Sequence, residues 1–292
     1  DMIKKKNRHP YLHLDYKISN IINVCSSSKD LIEKVDVLIL CVTSDAIIDV
    51  ANQIKKYYKK KIIILNTAKA FCKKSGNVFS SILSKILSKK KYEYGILAGG
   101  TLANDLFKAE PLGITIAFNK KKDQILLKKI FSNQNLKVYE SSDVIGVEYA
   151  SAFKNIISIL AGIINGLKYS FGSETHLISI ASGEVKNLVV NHLGGSPSTF
   201  TMESQCWGND LWMSCLGNSR NRKLGVLIAK NDSFIKGLNE AKKNNITVEG
   251  VNSIYSLEKF KILNKVDFPI LNSISTLPYK KPKSVIKKIL EF

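Results

Sequence analysis

Apolar positions follow two rhythms along the chain. Through about residue 142, short apolar runs alternate with amphipathic segments. Residues 37–42 (Val-Leu-Ile-Leu-Cys-Val) and 62–65 (Ile-Ile-Ile-Leu) are apolar almost throughout. Runs at 22–25, 95–98, 114–118 and 137–139 have the same β-branched texture, and all six read as strands. Between them, 29–34, 45–58, 78–87 and 123–131 read as helices; in the second, Ile47, Ile48, Ala51 and Ile54 fall on one face. Strands apolar on both sides are buried on both sides, and strands separated by helices imply right-handed crossovers. The pattern predicts an α/β domain built on a doubly wound parallel sheet.

After Ser142 the rhythm turns helical, at 147–166, 174–192, 222–230 and 284–290. We expect two domains, 1–142 and 143–292, with the polar Ser141-Ser142-Asp143 break between them and Asp143 capping the next helix. The longest apolar segment, 156–167, is broken by Ser158, Gly162, Asn165 and Gly166, short of the roughly 18 residues of a membrane helix. No membrane span is expected.

Charge adds less than its size suggests. The 292 residues carry a net charge of +20, but the basic residues are 41 lysines and three arginines (Arg8, Arg220, Arg222). Proteins that read nucleic acid use the planar fork of arginine and interleave aromatics, so scattered lysine predicts a solvated surface and no nucleic-acid partner. Five cysteines, an odd number without a Cys-x-x-Cys pair, suit a reducing, cytoplasmic setting. Four histidines at no ligand spacing predict no metal site. The chain opens on Asp1 and shows no signal peptide. We expect that its natural N-terminus lies upstream, where an organellar transit peptide would also lie.

Parallel sheets bind ligands beyond the carboxyl ends of their strands. Those ends carry Thr43-Ser44-Asp45, Asn66-Thr67-Ala68-Lys69 and Gly99-Gly100-Thr101. Lys69 is placed to reach a phosphate or carbonyl. The glycines allow close backbone approach, with Thr101 as cap of a following helix. A second candidate is Lys154-Asn155, set in the apolar pattern Ala150, Phe153, Ile156, Ile157, Leu160. Desolvation there would lower the lysine pKa and suit it to proton transfer. The third is Ser219-Arg220-Asn221-Arg222-Lys223, two of three arginines at a predicted helix N-terminus, a pattern suited to phosphate. A structural ion pair explains the arginines as an alternative. Neither a Gly-x-Gly-x-x-Gly fingerprint nor a P-loop occurs.

Taken in order, these blocks resemble the NAD(P)-dependent glycerol-3-phosphate dehydrogenase family. The resemblance runs through 7–12, Val42-Thr-Ser-Asp45, Thr67-Ala-Lys69, Gly99-Gly-Thr-Leu-Ala103, Asp143-Val-Ile-Gly-Val-Glu148 with Ala152-Phe-Lys154-Asn155, then Asp210-Leu211, Ser214-Cys215, 219–222 and Val248-Glu249-Gly250. It implies a Rossmann-type sheet, here lacking its first strand and Gly-rich loop, followed by an all-α domain of the 6-phosphogluconate dehydrogenase type. It implies reversible hydride transfer between NAD or NADP and dihydroxyacetone phosphate, giving sn-glycerol 3-phosphate for glycerolipid and carbohydrate metabolism, in a homodimer. By that resemblance Lys154 is the proton donor and acceptor, and Lys69 touches substrate and cofactor. Asp210, Asn155 and Ser214 complete the catalytic cluster. Gly99, Thr101, Ser219, Arg220 and Asn221 hold the substrate, and Ala103, Arg220, Thr247 and Glu249 lie by the cofactor. Without the Gly-rich loop, residues 1–292 alone should bind NAD weakly. Departures from the family pattern are the bulky 202–209 segment, Ile180 in place of a helix arginine, Ala70 after the lysine, and Asp45. A 3-hydroxyacid or 6-phosphogluconate-type dehydrogenase and a non-catalytic descendant stand as alternatives.

Overall fold

The computed structural model describes residues 17–72, 75–87, 92–246, 248–260 and 268–292, with Ile3 and Arg8. Helix α1 (Ser28–Lys34) leads into β1 (Val37–Leu40), and α2 (Ile47–Tyr57) into β2 (Ile62–Asn66). There follow α3 (Phe79–Ile86), β3 (Tyr92–Ala98), α4 (Ala103–Phe107), β4 (Leu112–Phe118), α5 (Lys121–Phe131) and β5 (Leu136–Ser141). The five strands lie side by side in chain order. Pairs β1–β2, β2–β3 and β4–β5 are parallel. On one face α2 and α3 bury Ile47, Ile54, Phe79 and Leu83 against Leu40, Ile62 and Ile64. Leu127 of α5 packs with Leu65, Ile114, Ile116 and Val138 on a separate apolar cluster.

The α/β class expected from the alternation is what forms, with two differences. First, β3 and β4 pair antiparallel, Ala98 opposite Thr115. A parallel return needs a crossover long enough to span the sheet. The link 99–111 has residues enough, but its five-residue α4 spans only about 7.5 Å, too short to run back along β3, and the chain turns back at the same end of the sheet. That brings Gly113 beside Gly99 at the carboxyl end of β3, where a Cβ on Gly99 would lie 2.9 Å from the Gly113 carbonyl oxygen. Second, 22–25 is not a strand; Ile22 lies in an exposed bend, and none of the five described strands pairs with it, so a short apolar run gains nothing there by extending.

The helical part begins where expected. Asp143 caps α6 (Val144–Gly166), accepting from Gly146 N at 2.8 Å, and its second oxygen accepts from Ser196 N at 2.7 Å. Helix α6 is the axis of this part. It is long and apolar enough to cross a membrane, yet 94% of that window is buried inside the protein, so it is a core helix. Around it lie α7 (Phe171–His192), a π-helical turn (Gln205–Asn209), α8 (Asp210–Leu216), α9 (Arg220–Lys230), α10 (Phe234–Lys243), α11 (Gly250–Leu257), α12 (Pro269–Ser275) and α13 (Pro282–Leu290). The four sequence periods do not include α8, α10, α11 and α12, although α10 is amphipathic and buries Phe234, Gly237 and Ala241 on one face. The aromatic Phe71, from the connection after β2, inserts into this helical core against Phe153 and Phe260, at ring separations of 5.1 and 5.2 Å.

Candidate active site

Three chain segments converge where the sheet meets α6. At the end of β2 the buried Asn66 side chain turns the backbone, accepting from Ala68 N at 3.1 Å. Lys69 therefore points along the carboxyl edge of the sheet, and its Nζ donates to the Gly99 carbonyl at 2.6 Å. From the opposite side α6 presents Lys154, whose Nζ donates to Ser214 Oγ at 2.7 Å. Between the two lysines stands Asp210, the first residue of α8. Lys69 Nζ lies 2.9 Å from its Oδ2 and Lys154 Nζ 2.8 Å from its Oδ1.

Burial sets the electrostatics. Asp210 is fully buried, and desolvation alone would raise its carboxyl pKa; Lys69 and Lys154 together outweigh that and hold it below the usual carboxylate range. For Lys154 desolvation prevails, so its ammonium titrates below an ordinary lysine, with Lys69 pushing the same way and Asp210 opposing. Two cations on one carboxylate leave a local excess of positive charge, suited to a substrate oxygen that gains negative charge.

A hydrogen-bond chain frames this cluster. Asn155 Nδ2 donates to the Lys69 carbonyl at 2.8 Å, and Asn221 Nδ2 to Asn155 Oδ1 at 2.9 Å. Ser219 caps α9, accepting from Arg222 N at 3.1 Å, and its hydroxyl lies 2.9 Å from Ser158 Oγ. Of the residues singled out from sequence, Lys69, Gly99, Lys154, Asn155, Asp210, Ser214, Ser219 and Asn221 thus form one connected network. Arg220 is exposed in the first turn of α9, with no ion pair among the described residues. Glu249 precedes α11, next to Gly250, whose N–H donates to Asn221 Oδ1 at 3.2 Å. Ala103 is exposed at the start of α4. Thr247 lies outside the described residues, as does the 7–12 block apart from Arg8.

Two expectations need correction. Thr101 does not cap α4: the cap position falls on Leu102, and Thr101 N instead closes a tight turn onto the Gly99 carbonyl at 2.9 Å. The two arginines do not act alike. Arg222 is spent on the buried Glu174 and the Cys215 carbonyl, so it is a structural ion pair and only Arg220 faces outward. Sequence reasoning passed over Ser158, which donates to the Ser214 carbonyl at 2.6 Å. It also passed over Gln205 and Asn209, joined at 2.7 Å, whose side chains close over Gly113 and Gly100. A polar residue interrupting an otherwise apolar helix was the available signal for Ser158. The 202–209 departure therefore holds an exposed turn at 202–203 and the packed π-helical turn 205–209, which delivers Asp210 to the lysines.

The model of the NAD-dependent glycerol-3-phosphate dehydrogenase N-terminus matches residues 1–124, and that of the C-terminus matches 143–287. The chain belongs to this family. A glycerol-3-phosphate dehydrogenase [NAD(P)+] of Fusobacterium nucleatum is 31% identical over 260 residues, covering 89% of this chain and 76% of the relative. One from Thermoanaerobacter sp. is 27% identical over 274 residues, covering 94% of this chain and 80% of the relative. Among solved structures, glycerol-3-phosphate dehydrogenase from Coxiella burnetii superposes with a TM-score of 0.89 at 22% identity, over all of this chain and 88% of that one. The Plasmodium falciparum structure gives 0.86 at 20% identity, over 99% and 82%. These two establish the fold: a Rossmann-type sheet followed by a helical domain. The family's matched halves meet at the Lys69–Asp210–Lys154 junction, so this member's candidate site draws on both.

Proposed function

We propose that the chain catalyses the reversible reduction of dihydroxyacetone phosphate to sn-glycerol 3-phosphate with NAD(P)H. The observation that carries the reading is the buried Asp210 carboxylate shared by Lys69 and Lys154. In this reading 1–142 forms the nucleotide-binding domain and 143–292 the catalytic domain.

A nicotinamide cofactor, when bound, supplies or takes up the hydride. The residues at the carboxyl edge fit such a group in charge. Lys69 keeps part of its side chain exposed, and Arg220 is an exposed cation with no ion pair among the described residues. Lys69, Ala103, Arg220 and Glu249 are the described residues that would hold it.

The chemistry of the chain's own groups follows from charge. As the carbonyl of the substrate is reduced, its oxygen becomes negative. Lys154, as an ammonium held by Asp210 and Ser214, stabilises that oxygen and passes it a proton from Nζ, becoming a neutral amine. In the oxidative direction the neutral amine takes the hydroxyl proton. Burial lowers its pKa, which eases release of that proton. Lys69 supplies a second cation that does not need to move its proton. Asn155 holds the backbone of Lys69 in place. The substrate phosphate finds Arg220 and the free N–H groups of the α9 N-terminus, with Ser219, Asn221 and the Gly99–Thr101 turn beside it.

The same reading carries a homodimer in the cytoplasm. All five cysteines are unpaired, which suits a reducing compartment. Light scattering of the purified protein tests the dimer.

The assay follows NADH absorbance with dihydroxyacetone phosphate as substrate. Turnover that disappears in Lys154→Ala, with NADH binding retained, supports the reading. A folded full-length protein without substrate-dependent NADH oxidation, or Lys154→Ala with normal turnover, would refute it.

A further inference from the structure

Glu148 is a buried carboxylate on α6 that the mechanism above leaves without a task. It reaches out of the helical part. Its Oε1 accepts from Ser80 N at 2.9 Å and from Tyr94 Oη at 2.6 Å, and its Oε2 accepts from Ser80 Oγ. Ser80 sits in the first turn of α3, whose cap residue Val78 makes no side-chain hydrogen bond. Glu148 therefore satisfies an orphan N–H of that helix from another part of the fold.

Two helical turns further along the same stripe of α6 stands Asn155, which donates to the Lys69 carbonyl at 2.8 Å. The connection 69–80 is thus fastened to α6 at both ends, at Lys69 by Asn155 and at Ser80 by Glu148. Phe71 fills the interval, with its ring 5.1 Å from Phe153 and 5.8 Å from Tyr149. The segment that carries Lys69 belongs by chain order to the sheet, yet it is positioned by the helix that carries Lys154.

We propose that Glu148 is a positioning residue for Lys69: it fixes the far end of the 69–80 connection on α6, so that the near end delivers the Lys69 ammonium to Asp210 beside Lys154. The proposal rests on the functional reading above for the role of the two lysines. Burial pushes the Glu148 carboxyl above the ordinary carboxylate range, which fits a latch made of hydrogen bonds more than of charge. A glutamine can keep that latch, because its oxygen accepts from Ser80 N and Tyr94 Oη while its amide donates to Ser80 Oγ. A leucine fills similar space and keeps none of it.

The test compares Glu148→Gln and Glu148→Leu in the full-length enzyme, by kcat, by KM for both substrates, and by hydrogen exchange in peptides covering 66–72. Glu148→Leu should lose about tenfold or more in kcat, as a small misplacement of a catalytic group does. Exchange at 66–72 should rise. Glu148→Gln should keep kcat within about threefold of the parent and leave exchange unchanged. A purely structural contact would lower the melting temperature and leave kcat of the folded protein alone. A folded Glu148→Leu with parental kcat and parental exchange overturns the proposal. Should that variant fail to fold, the double variant Ser80→Ala, Tyr94→Phe removes both hydroxyls and keeps the carboxylate. Lower kcat with faster exchange at 66–72 then supports the proposal, and parental values for both overturn it. If the parent shows no turnover of dihydroxyacetone phosphate, the functional reading fails by itself, and the exchange comparison alone decides the role of Glu148.

Discussion

The ammonium groups of Lys69 and Lys154 sit on the two oxygens of one carboxylate, that of Asp210, at 2.9 and 2.8 Å. Lys69 arrives from the end of β2 and Lys154 from the middle of α6, so the carboxylate joins the sheet to the helical core. Each lysine also has a second partner, the Gly99 carbonyl for Lys69 and Ser214 Oγ for Lys154. Both side chains are thereby fixed in position before any substrate arrives, which removes reorganisation from the reaction itself.

The pH dependence should carry the signature of Lys154. Reduction needs its protonated form, so kcat for reduction should fall as pH rises through its pKa. Oxidation needs the neutral amine and should rise over the same range. Desolvation lowers that pKa, so both limbs should lie below the ordinary lysine value of about 10.4. Profiles of kcat measured in both directions check this; a reduction rate still flat at the ordinary lysine value would contradict it.

Replacing Asp210 with Asn should cost both activity and stability. The substitution leaves two ammonium groups around an uncharged amide in a buried site, a loss of about 3 kcal/mol in urea unfolding. Turnover should fall about a hundredfold as the lysines lose their common anchor. The sign of the pH effect is fixed. Asp210 titrates lower in the folded protein than when unfolded, so its stabilisation is complete above the ordinary carboxylate value of about 3.9. It is lost as pH falls through the folded value. The stability gap between parent and Asp210→Asn should therefore be constant near neutral pH and close in acid.

Much of this was legible in the sequence, for identifiable reasons. The apolar run at 62–65 gave β2 because a strand buried on both faces has little choice of residue. The run at 37–42 gave β1 by its β-branched texture alone, since Ile39 is exposed and only Leu38 and Leu40 are buried. Lys154 was legible because a cation amid Phe153, Ile156 and Ile157 contradicts its surroundings. Asp210 was not, except through family resemblance: it is one acid among 24, and its importance arises only when three distant segments meet. The antiparallel return of β4 was not legible either, since it depends on how short α4 turns out to be. The breaks in 156–167 were read only as obstacles to a membrane span. Each is in fact a contact. Ser158 bonds Ser219, Asn165 reaches Glu174 at 3.4 Å, and Gly162 and Gly166 admit α9.

The paired arginines should separate cleanly on substitution. Arg220 is exposed and, as proposed above, binds the substrate phosphate, so Arg220→Ala should raise KM for dihydroxyacetone phosphate by about ten- to a hundredfold, the worth of a charge-assisted hydrogen bond. Its melting temperature should match the parent. Arg222 is bound to buried Glu174 and to the Cys215 carbonyl, so Arg222→Ala leaves a carboxylate without its partner. It should unfold about 3 kcal/mol more easily. Thermal melts and KM values for the pair check the division of labour; equal KM effects would return Arg222 to the phosphate site.

The crossing of α6 and α9 should tolerate no added atom. A Cβ on Gly162 would lie 2.0 Å from the Arg222 carbonyl oxygen, and one on Gly225 would lie 2.1 Å from the Ile159 carbonyl oxygen. Both clashes are with backbone, so neither helix can yield by turning a side chain. Alanine at either position must push the helices apart, and the cost should reach the upper part of the usual 1–3 kcal/mol overpacking range, about 3 kcal/mol. The displacement has a functional side. Helix α6 carries Lys154, and α9 carries Arg220 behind its cap Ser219, so the same substitution lengthens the span between the proposed proton donor and the proposed phosphate anchor. Urea unfolding followed by tryptophan fluorescence measures the first effect. The second should show as a fall in kcat/KM for dihydroxyacetone phosphate that exceeds the change in NADH affinity. Gly183, with nothing within 4 Å of a built Cβ, is the control: Gly183→Ala should be neutral or mildly stabilising, since it adds only helix propensity.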